Sequence, residues 1–350
     1  MNSGKLNAQG FKELFQSRFG YDSEKIVVKP NFGKDIALID LGENYMALAS
    51  DPLSYIPNLG AKKSAELSVF LVANDIATTG VPPQYLQLVL NLNENFTHEA
   101  FDAYWQHLHA LCEKLKISIS GGHTGVVAGQ NSTIIGGGTM ISVAEKSRFI
   151  RCDQAQAGDI LLMSKKAAIS ATAILGLNFP VTAHEVLAKD SGKYFEDLFS
   201  QISVMEEGKL AGLFNQKNVA KPIHAMHDVT EGGVLGAVYE MCVANDLGIM
   251  LNADAIPVDG EQQLLCQKFL LNPAEIIGAG SMLMAVSPEA VNDLIQYFAQ
   301  NQLMLTPIGE FTPAENGILS WQGGEMKEIR YSERDAYWEA FFNAVEKGWK

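Results

Sequence analysis

Asn74-Asp75-Ile76-Ala77-Thr78-Thr79-Gly80-Val81-Pro82-Pro83 closes a segment from Lys62 to Thr79 that has helical length and periodicity. Leu67, Phe70, Leu71, Asn74 and Ala77 fall near one face of it. An asparagine and an aspartate side by side in an otherwise apolar helix need a physical reason. A buried carboxylate is costly unless a cation or several donors compensate it. A structural hydrogen-bond network and a metal or phosphate site both meet that need. Gly80 supplies a C-terminal stop, and the two prolines prevent the helix from continuing.

Upstream, residues 36–41 and 45–50 read as short strands around the turn Gly42-Glu43-Asn44. Asp35 sits in the turn Asn31-Phe32-Gly33-Lys34-Asp35 just before the first strand, and Asp51 ends the second at Ser50-Asp51-Pro52. Strand ends present carboxylates from a rigid base, which suits a hard cation that takes oxygen ligands. Each aspartate also fits the ordinary role of turn former or helix cap.

Downstream, residues 85–92 read as a strand, Thr97 as the N-cap of a helix reaching Lys116, and residues 117–120 as a strand that runs into Gly121-Gly122-His123-Thr124. Adjacent glycines let backbone amides approach an anion, and Thr124 adds a hydroxyl. No Gly-Lys-Ser/Thr follows, so this is not a Walker loop. His123 fits a phosphate or metal contact, or plain packing. Residues 133–143 then read as a strand.

The polar stretch 147–158 reads as a connector, and the pattern restarts after it. A strand at 160–164, helical segments near 170–177 and 193–215, a helix at 234–244, strands at 249–252 and 281–286, and helices at 288–300 and 336–347 follow. The expectation is an α+β chain of two domains, 1–150 and 151–350. In His227-Asp228-Val229-Thr230-Glu231-Gly232-Gly233 a strand delivers Asp228 to a tight, glycine-permitted helix entry. Helix N-termini favour anions, so a phosphate fits here with Asp228 meeting it through magnesium; helix capping by Asp228 or Thr230 is the alternative.

Composition narrows the function classes. A chain of 350 residues is long enough for two cores, and 47% hydrophobic against 19% charged residues fits a folded globular protein. The formal net charge of -14, from 26 basic and 40 acidic residues, repels phosphate backbones and anionic lipids, which argues against nucleic-acid and membrane partners. A phosphorylated small molecule would need metal ions or backbone amides to neutralise it. No apolar run reaches the ~18–20 residues of a membrane span, and the N-terminal sequence lacks a signal-peptide pattern. Cys112, Cys152, Cys242 and Cys266 are scattered, without a CxxC pair, as expected for reduced thiols in a cytoplasmic protein. HExxH, GxSxG and a GxGxxG after the first strand are all absent.

Taken in order, these segments resemble the aminoimidazole ribonucleotide (AIR) synthase superfamily, which includes AIR synthase, thiamine-monophosphate kinase, selenophosphate synthetase and hydrogenase maturation protein E. The resemblance spans roughly residues 31–315. Asp75, Gly80 and Pro83 match the family's Asp-x4-Gly-x-x-Pro pattern, and SGGHT, HDVTEGGV, AGDIL at 157–161 and GAGSMLMAV carry the rest. It implies an N-terminal sheet that dimerises into a barrel, a C-terminal α/β sandwich domain, and ATP bound near the interface of a homodimer. By motif, Asp35, Asp51, Asp75 and Asp228 would contact Mg2+ and phosphate, Asp75 and Asp228 would be catalytic, and Asn74 would support them. Gly121, Gly122, His123 and Thr124 would line the nucleotide.

Within the superfamily, the run from Lys165 to Leu175 is most similar to the hydrogenase maturation members. The sequence read ends at Lys350 with no cysteine after Cys266, whereas that maturation protein carries its carbamoyl group on a terminal cysteine. His123 stands where the kinase and AIR synthase have an acid. The implied activity is ATP/Mg-dependent phosphoryl transfer that activates an amide- or carboxylate-type oxygen on a small-molecule or protein-borne acceptor. AIR synthase itself, and a non-catalytic nucleotide-binding maturation partner, are the alternatives. Lys165, Lys166 and Ser170 are candidates for acceptor specificity.

Overall fold

A computed structural model describes residues 5–15, 18–188, 191–332 and 334–350. Its first half contains α1 (Ala8–Phe15), β1 (Ile26–Val28), β2 (Ala37–Asp40), β3 (Asn44–Ser54), α2 (Gly60–Ala77), β4 (Tyr85–Leu92), α3 (His98–Leu115), β5 (Ser118–Val126) and β6 (Ile134–Glu145). The strands form a six-stranded sheet in the order β1-β2-β3-β6-β4-β5, antiparallel except for the β4–β5 pair that α3 connects. Strand β4 shows why one face is covered. Leu86, Leu88, Leu90 and Leu92 alternate with exposed Tyr85, Gln87, Val89 and Asn91, and the leucines pack into the core beneath α2 and α3. Thr97 caps α3 by accepting from the Ala100 amide at 3.1 Å, and buried Tyr104 donates to Ser68 Oγ of α2 at 2.8 Å.

The second half contains β7 (Ile160–Ser164), α4 (Ile169–Asn178), α5 (Pro180–Leu187), α6 (Gly192–Phe199), α7 (Met205–Lys217), β8 (Ile223–Asp228), α8 (Gly233–Asn245), β9 (Leu247–Asn252), α9 (Gly260–Lys268), β10 (Met282–Val286), α10 (Val291–Gln300), β11 (Leu305–Pro313), β12 (Ile318–Gln322), β13 (Glu325–Glu328) and α11 (Ala336–Glu346). A seven-stranded mixed sheet runs β13-β12-β9-β11-β7-β10-β8. Strands β7 and β10 are apolar at almost every position because both faces are covered. Val234, Val238 and Met241 of α8 pack on one side; Leu210 and Phe214 of α7 with Leu294 and Phe298 of α10 pack on the other.

Helix α2 belongs to both halves. Val69, Val72 and Ile76 face the first sheet, whereas Leu67 joins the cluster of α4, α6, α9 and α11, and Ala77 joins that of α7. The helical stretch expected over 193–215 is two helices, and residues 200–204 between them meet α2. Asn74 Nδ2 donates to Ile202 O, and its Oδ1 accepts from the Val204 amide, both at 2.9 Å. Two further expectations shift. β3 does not stop at Asp51 but continues to Ser54, and the glycine turn at 121–124 lies inside strand β5. Among the described residues no helix is long and apolar enough to cross a membrane.

Candidate metal and phosphate site

Four elements carry the four carboxylates: Asp35 and Asp228 meet beside His227, and Asp51 and Asp75 lie close enough to feel their neighbours' charge. Asp35 comes from the turn between β1 and β2, Asp51 from mid-β3, Asp75 from the last turns of α2 and Asp228 from the end of β8. The first turn is pressed onto α8. Gly33 has φ +75°, and a Cβ there would stand 2.4 Å from the Glu240 carbonyl oxygen, so only glycine allows this approach. Phe32 packs edge-on against Tyr331 at 5.0 Å between ring centroids. At the entry to α8, Gly233 has φ +62°, with Ala274 O and Ile276 O each 2.7 Å from where a Cβ would be.

The carboxylates act on one another. Burial, and then the charges of Asp228, Asp51 and Asp35, hold Asp75 well above the usual carboxylate range. Burial with neighbouring acids pushes Asp51 up to about 7. Asp228 rises to about 8, chiefly by burial and then by the charge of Asp35. Asp35 is also raised by burial, against the pull of His227 and Lys5.

Two cationic side chains partly balance this charge. His227 Nδ1 lies 2.6 Å from Asp228 O and 3.2 Å from Asp35 Oδ2, and its Nε2 lies 3.1 Å from Glu240 Oε2. Burial alone would lower the imidazole, but Asp35 and Glu240 outweigh it and raise it to about 9. Both carboxylates thus favour the protonated ring, although Nε2 makes no aligned hydrogen bond to Glu240. Burial would raise Glu240, yet His227 and Lys5 bring it down to about 2. Lys5 Nζ sits 2.8 Å from Glu240 Oε1, and the Lys5 amide donates to Glu231 Oε2 at 2.6 Å. Tyr331 donates its hydroxyl to Glu240 Oε1 at 3.1 Å.

The residues fit a divalent cation. Asp35 Oδ2 and Asp228 Oδ1 are buried without a hydrogen bond, the Asp35–His227 approach being close but poorly aligned for one. Ligand atoms of Asp35, His227 and Asp228 all lie within 4.8 Å of one another. Buried carboxylate oxygens without donors are the state that a hard cation relieves. His227 is already flanked by Asp228 O, Asp35 and Glu240, so the carboxylate oxygens are the ligands on offer.

Several expected site residues stand elsewhere. Asn74 spends both polar atoms on the backbone at 202 and 204, so it clamps the halves together instead of reaching toward a nucleotide. Gly121, Gly122, His123 and Thr124 lie on the edge strand. The register runs Asp51↔Gly138, Gly138↔Leu88 and Leu88↔Gly122, which places Gly122 three strands from Asp51, roughly 14 Å away at the usual strand spacing. Within one chain this segment does not meet the aspartates. The amide at the start of α8, expected to face phosphate, is already occupied: Gly232 N donates to Asp335 Oδ2 at 2.9 Å. Lys165 pairs with Glu207 at 2.7 Å, and Lys166 with Asp259 at 2.6 Å, so both are committed to protein contacts.

Lys5, Glu240, Tyr331 and Asp335 lie outside the motifs that point to the site in the sequence. Glu240 carried the same signal as Asp75, being the single acid within the apolar helix Gly233–Asn245. Lys5 carried none.

Two family models cover most of the chain: the AIR synthase related protein N-terminal domain matches residues 33–144, and its C-terminal domain matches residues 156–322. The chain belongs to the AIR synthase related family. It is similar to a putative hydrogenase expression/formation protein of Methanocaldococcus jannaschii, 26% identical over 255 residues that make up 72% of this chain and 71% of that protein. The carbamoyl dehydratase HypE of Bradyrhizobium diazoefficiens is 23% identical over 301 residues, covering 84% of this chain and 80% of the relative. A crystal structure of the hydrogenase maturation protein HypE in complex with ATP superposes with a TM-score of 0.67 at 16% identity, over 94% of this chain and 93% of that one. The two sheets are thus those of the two-domain AIR synthase-related fold, and relatives named as a carbamoyl dehydratase and a selenide, water dikinase are similar to this chain.

Proposed function

We propose that this protein is an ATP- and magnesium-dependent phosphoryl-transfer enzyme that activates an amide- or carboxylate-type oxygen of its acceptor. One observation carries the reading: Asp35, Asp51, Asp75 and Asp228 converge from both halves of the chain, and buried oxygens of Asp35 and Asp228 lack hydrogen bonds. The names of the relatives support it, one being a carbamoyl dehydratase and another a maturation protein seen with ATP.

The four aspartates would hold the metal, which supplies charge neutralisation for the transferring phosphoryl group. His227, pinned by Glu240, keeps the Asp35 and Asp228 region partly neutral, so these carboxylates stay close without a bound cation. Asp335 fills the anion position at the start of α8, which leaves the aspartate cluster as the place for the nucleotide phosphates.

The working form would be a homodimer whose N-terminal sheets, within 1–150, pair to form a barrel while 151–350 supplies Asp228. Strand β5 is an edge with one side unpaired, and Tyr85, Val89 and Val126 expose 43–66% of their surface on β5 and its neighbour β4. Edge pairing would bring Gly121, Gly122, His123 and Thr124 of one copy toward the other.

Calorimetry with ATP and Mg2+ tests the site: the wild-type chain binds, and Asp75→Ala does not. Equal binding by the variant would overturn the assignment. ADP release on adding formylglycinamidine ribonucleotide, with AIR formed in step, would instead make this an AIR synthase. Tight ATP binding without ADP release for any amide or carboxylate acceptor would argue for binding without turnover.

A further inference from the structure

Among the described residues, the N-terminal segment approaches the acidic cluster through Lys5. Helix α1 buries none of its side chains, and the rings of Phe11, Phe15 and Phe19 pack chiefly on one another, with Phe11 and Phe15 centroids 4.9 Å apart. By contrast, Lys5 is firmly seated. Its Nζ contacts Glu240 at 2.8 Å and its amide donates to Glu231, which in turn accepts from Trp338 Nε1 at 2.9 Å. From there a line of close contacts leads into the cluster: Glu240 Oε2 lies 3.1 Å from His227 Nε2, and His227 Nδ1 lies 3.2 Å from Asp35 Oδ2. The Lys5 charge favours the anionic form of Asp51 and Asp35, and more weakly that of Asp228 and Asp75. Yet the Lys5 side chain keeps 39% of its surface exposed, so it has a solvated path out.

We propose that Lys5 is a tethered counter-ion of the aspartate cluster, competing with the divalent cation, so that metal loading expels it and frees the segment around α1. The inference rests on the metal reading given above. The physical reason is charge: a lysine ammonium and a divalent ion that answer to the same buried acids repel, and a site that balances its acids with one has less use for the other. Linkage makes the effect reciprocal, since whatever weakens Lys5 docking strengthens metal binding, and metal in turn weakens docking. The segment is thereby a strap whose anchor reports whether the site is filled. A lysine that instead served as a phosphate ligand would strengthen binding, which is the opposite sign.

Mn2+ alone, without nucleotide, is titrated into the full chain and into Lys5→Gln and Lys5→Arg variants. Lys5→Gln is expected to bind Mn2+ at least roughly fivefold more tightly than wild type, the lower end of ordinary coupling, whereas Lys5→Arg stays near wild type. Hydrogen exchange over residues 5–15 is expected to quicken when Mn2+ is added to the wild-type chain. Unchanged or weaker Mn2+ affinity in Lys5→Gln, or exchange that is unchanged or slowed, overturns the proposal while leaving the metal site intact. Absence of Mn2+ binding in all three chains overturns the metal reading itself, and this inference with it.

Discussion

Glu240 Oε2 lies 3.1 Å from Nε2 of His227, and both side chains are only 1% exposed. The pair sits behind the acidic cluster, and the imidazolium passes its charge on to Asp35. Removing the charge of Glu240 strands a buried cation. Glu240→Gln is expected to lower stability by roughly 3–5 kcal/mol, the usual cost of breaking a buried pair. Urea unfolding monitored by circular dichroism checks this; a loss below about 1 kcal/mol would show that His227 simply loses its proton.

The metal-free protein should become less stable as pH rises. Asp51 and Asp228 have folded values of about 7 and 8, and His227 of about 9, all above their unfolded ones. A raised folded pKa gives stability that is complete below the unfolded value and is lost as pH climbs through the folded one. The carboxylates thus withdraw stability between about pH 4 and 8, and His227 between about 6.5 and 9. Glu240, held near 2, acts oppositely and loses its contribution only below about 4.5. Thermal melts across this range should fall toward alkaline pH without metal, and Mg2+ should restore most stability where the acids are ionised.

Asn74→Ala separates clamp from ligand. It leaves Ile202 O and the Val204 amide buried without their partner, at an expected cost of about 2–4 kcal/mol. Mn2+ affinity should stay within about twofold of wild type, whereas Asp75→Ala abolishes it with little loss of stability. Equal loss of metal binding in both variants would place Asn74 in the site after all.

Gly33→Ala forces a Cβ to within 2.4 Å of the Glu240 carbonyl and puts alanine at φ +75°. The Asp35 turn must lift away from α8. A loss of about 2 kcal/mol or more is expected, since the strained backbone and the clash add. The readout is denaturant midpoint together with weakened metal binding.

Val89→Lys places a charge on the exposed sheet face beside the β5 edge. Light scattering should show a dimer for the wild-type chain and a monomer for the variant, with unchanged circular dichroism. A wild-type monomer at micromolar concentration would remove the expected barrel.

Much of the fold was legible because its signals are local. The alternation along Tyr85–Leu92, the Thr97 cap and the Gly80-Val81-Pro82-Pro83 stop each act within a few residues, and the elements they predict stand where expected. The four aspartates stand out in the sequence for a related reason: each carboxylate sits beside a turn or within an apolar run, where its cost is conspicuous. Relations set by tertiary contact were not legible. Asn74 and Asp75 look alike as neighbours, yet helical geometry turns one toward residues 202–204 and the other toward the cluster. Gly121 and Gly122 read as a turn because glycine usually marks one. Here they lie within a strand, where a Cβ at Gly122 would stand 1.7 Å from Leu88 O. Lys5 contacts residues 226 and 235 positions away, a distance over which no spacing rule operates.

The Asn74 clamp has a bearing on how the molecule melts. One turn of α2 carries both the fastening to residues 202–204 and a carboxylate of the acidic cluster. Loosening either half thus pulls on the same helix. The chain should lose its structure in a single cooperative step, and an ion captured at Asp75 should delay the collapse of regions far beyond its own neighbours.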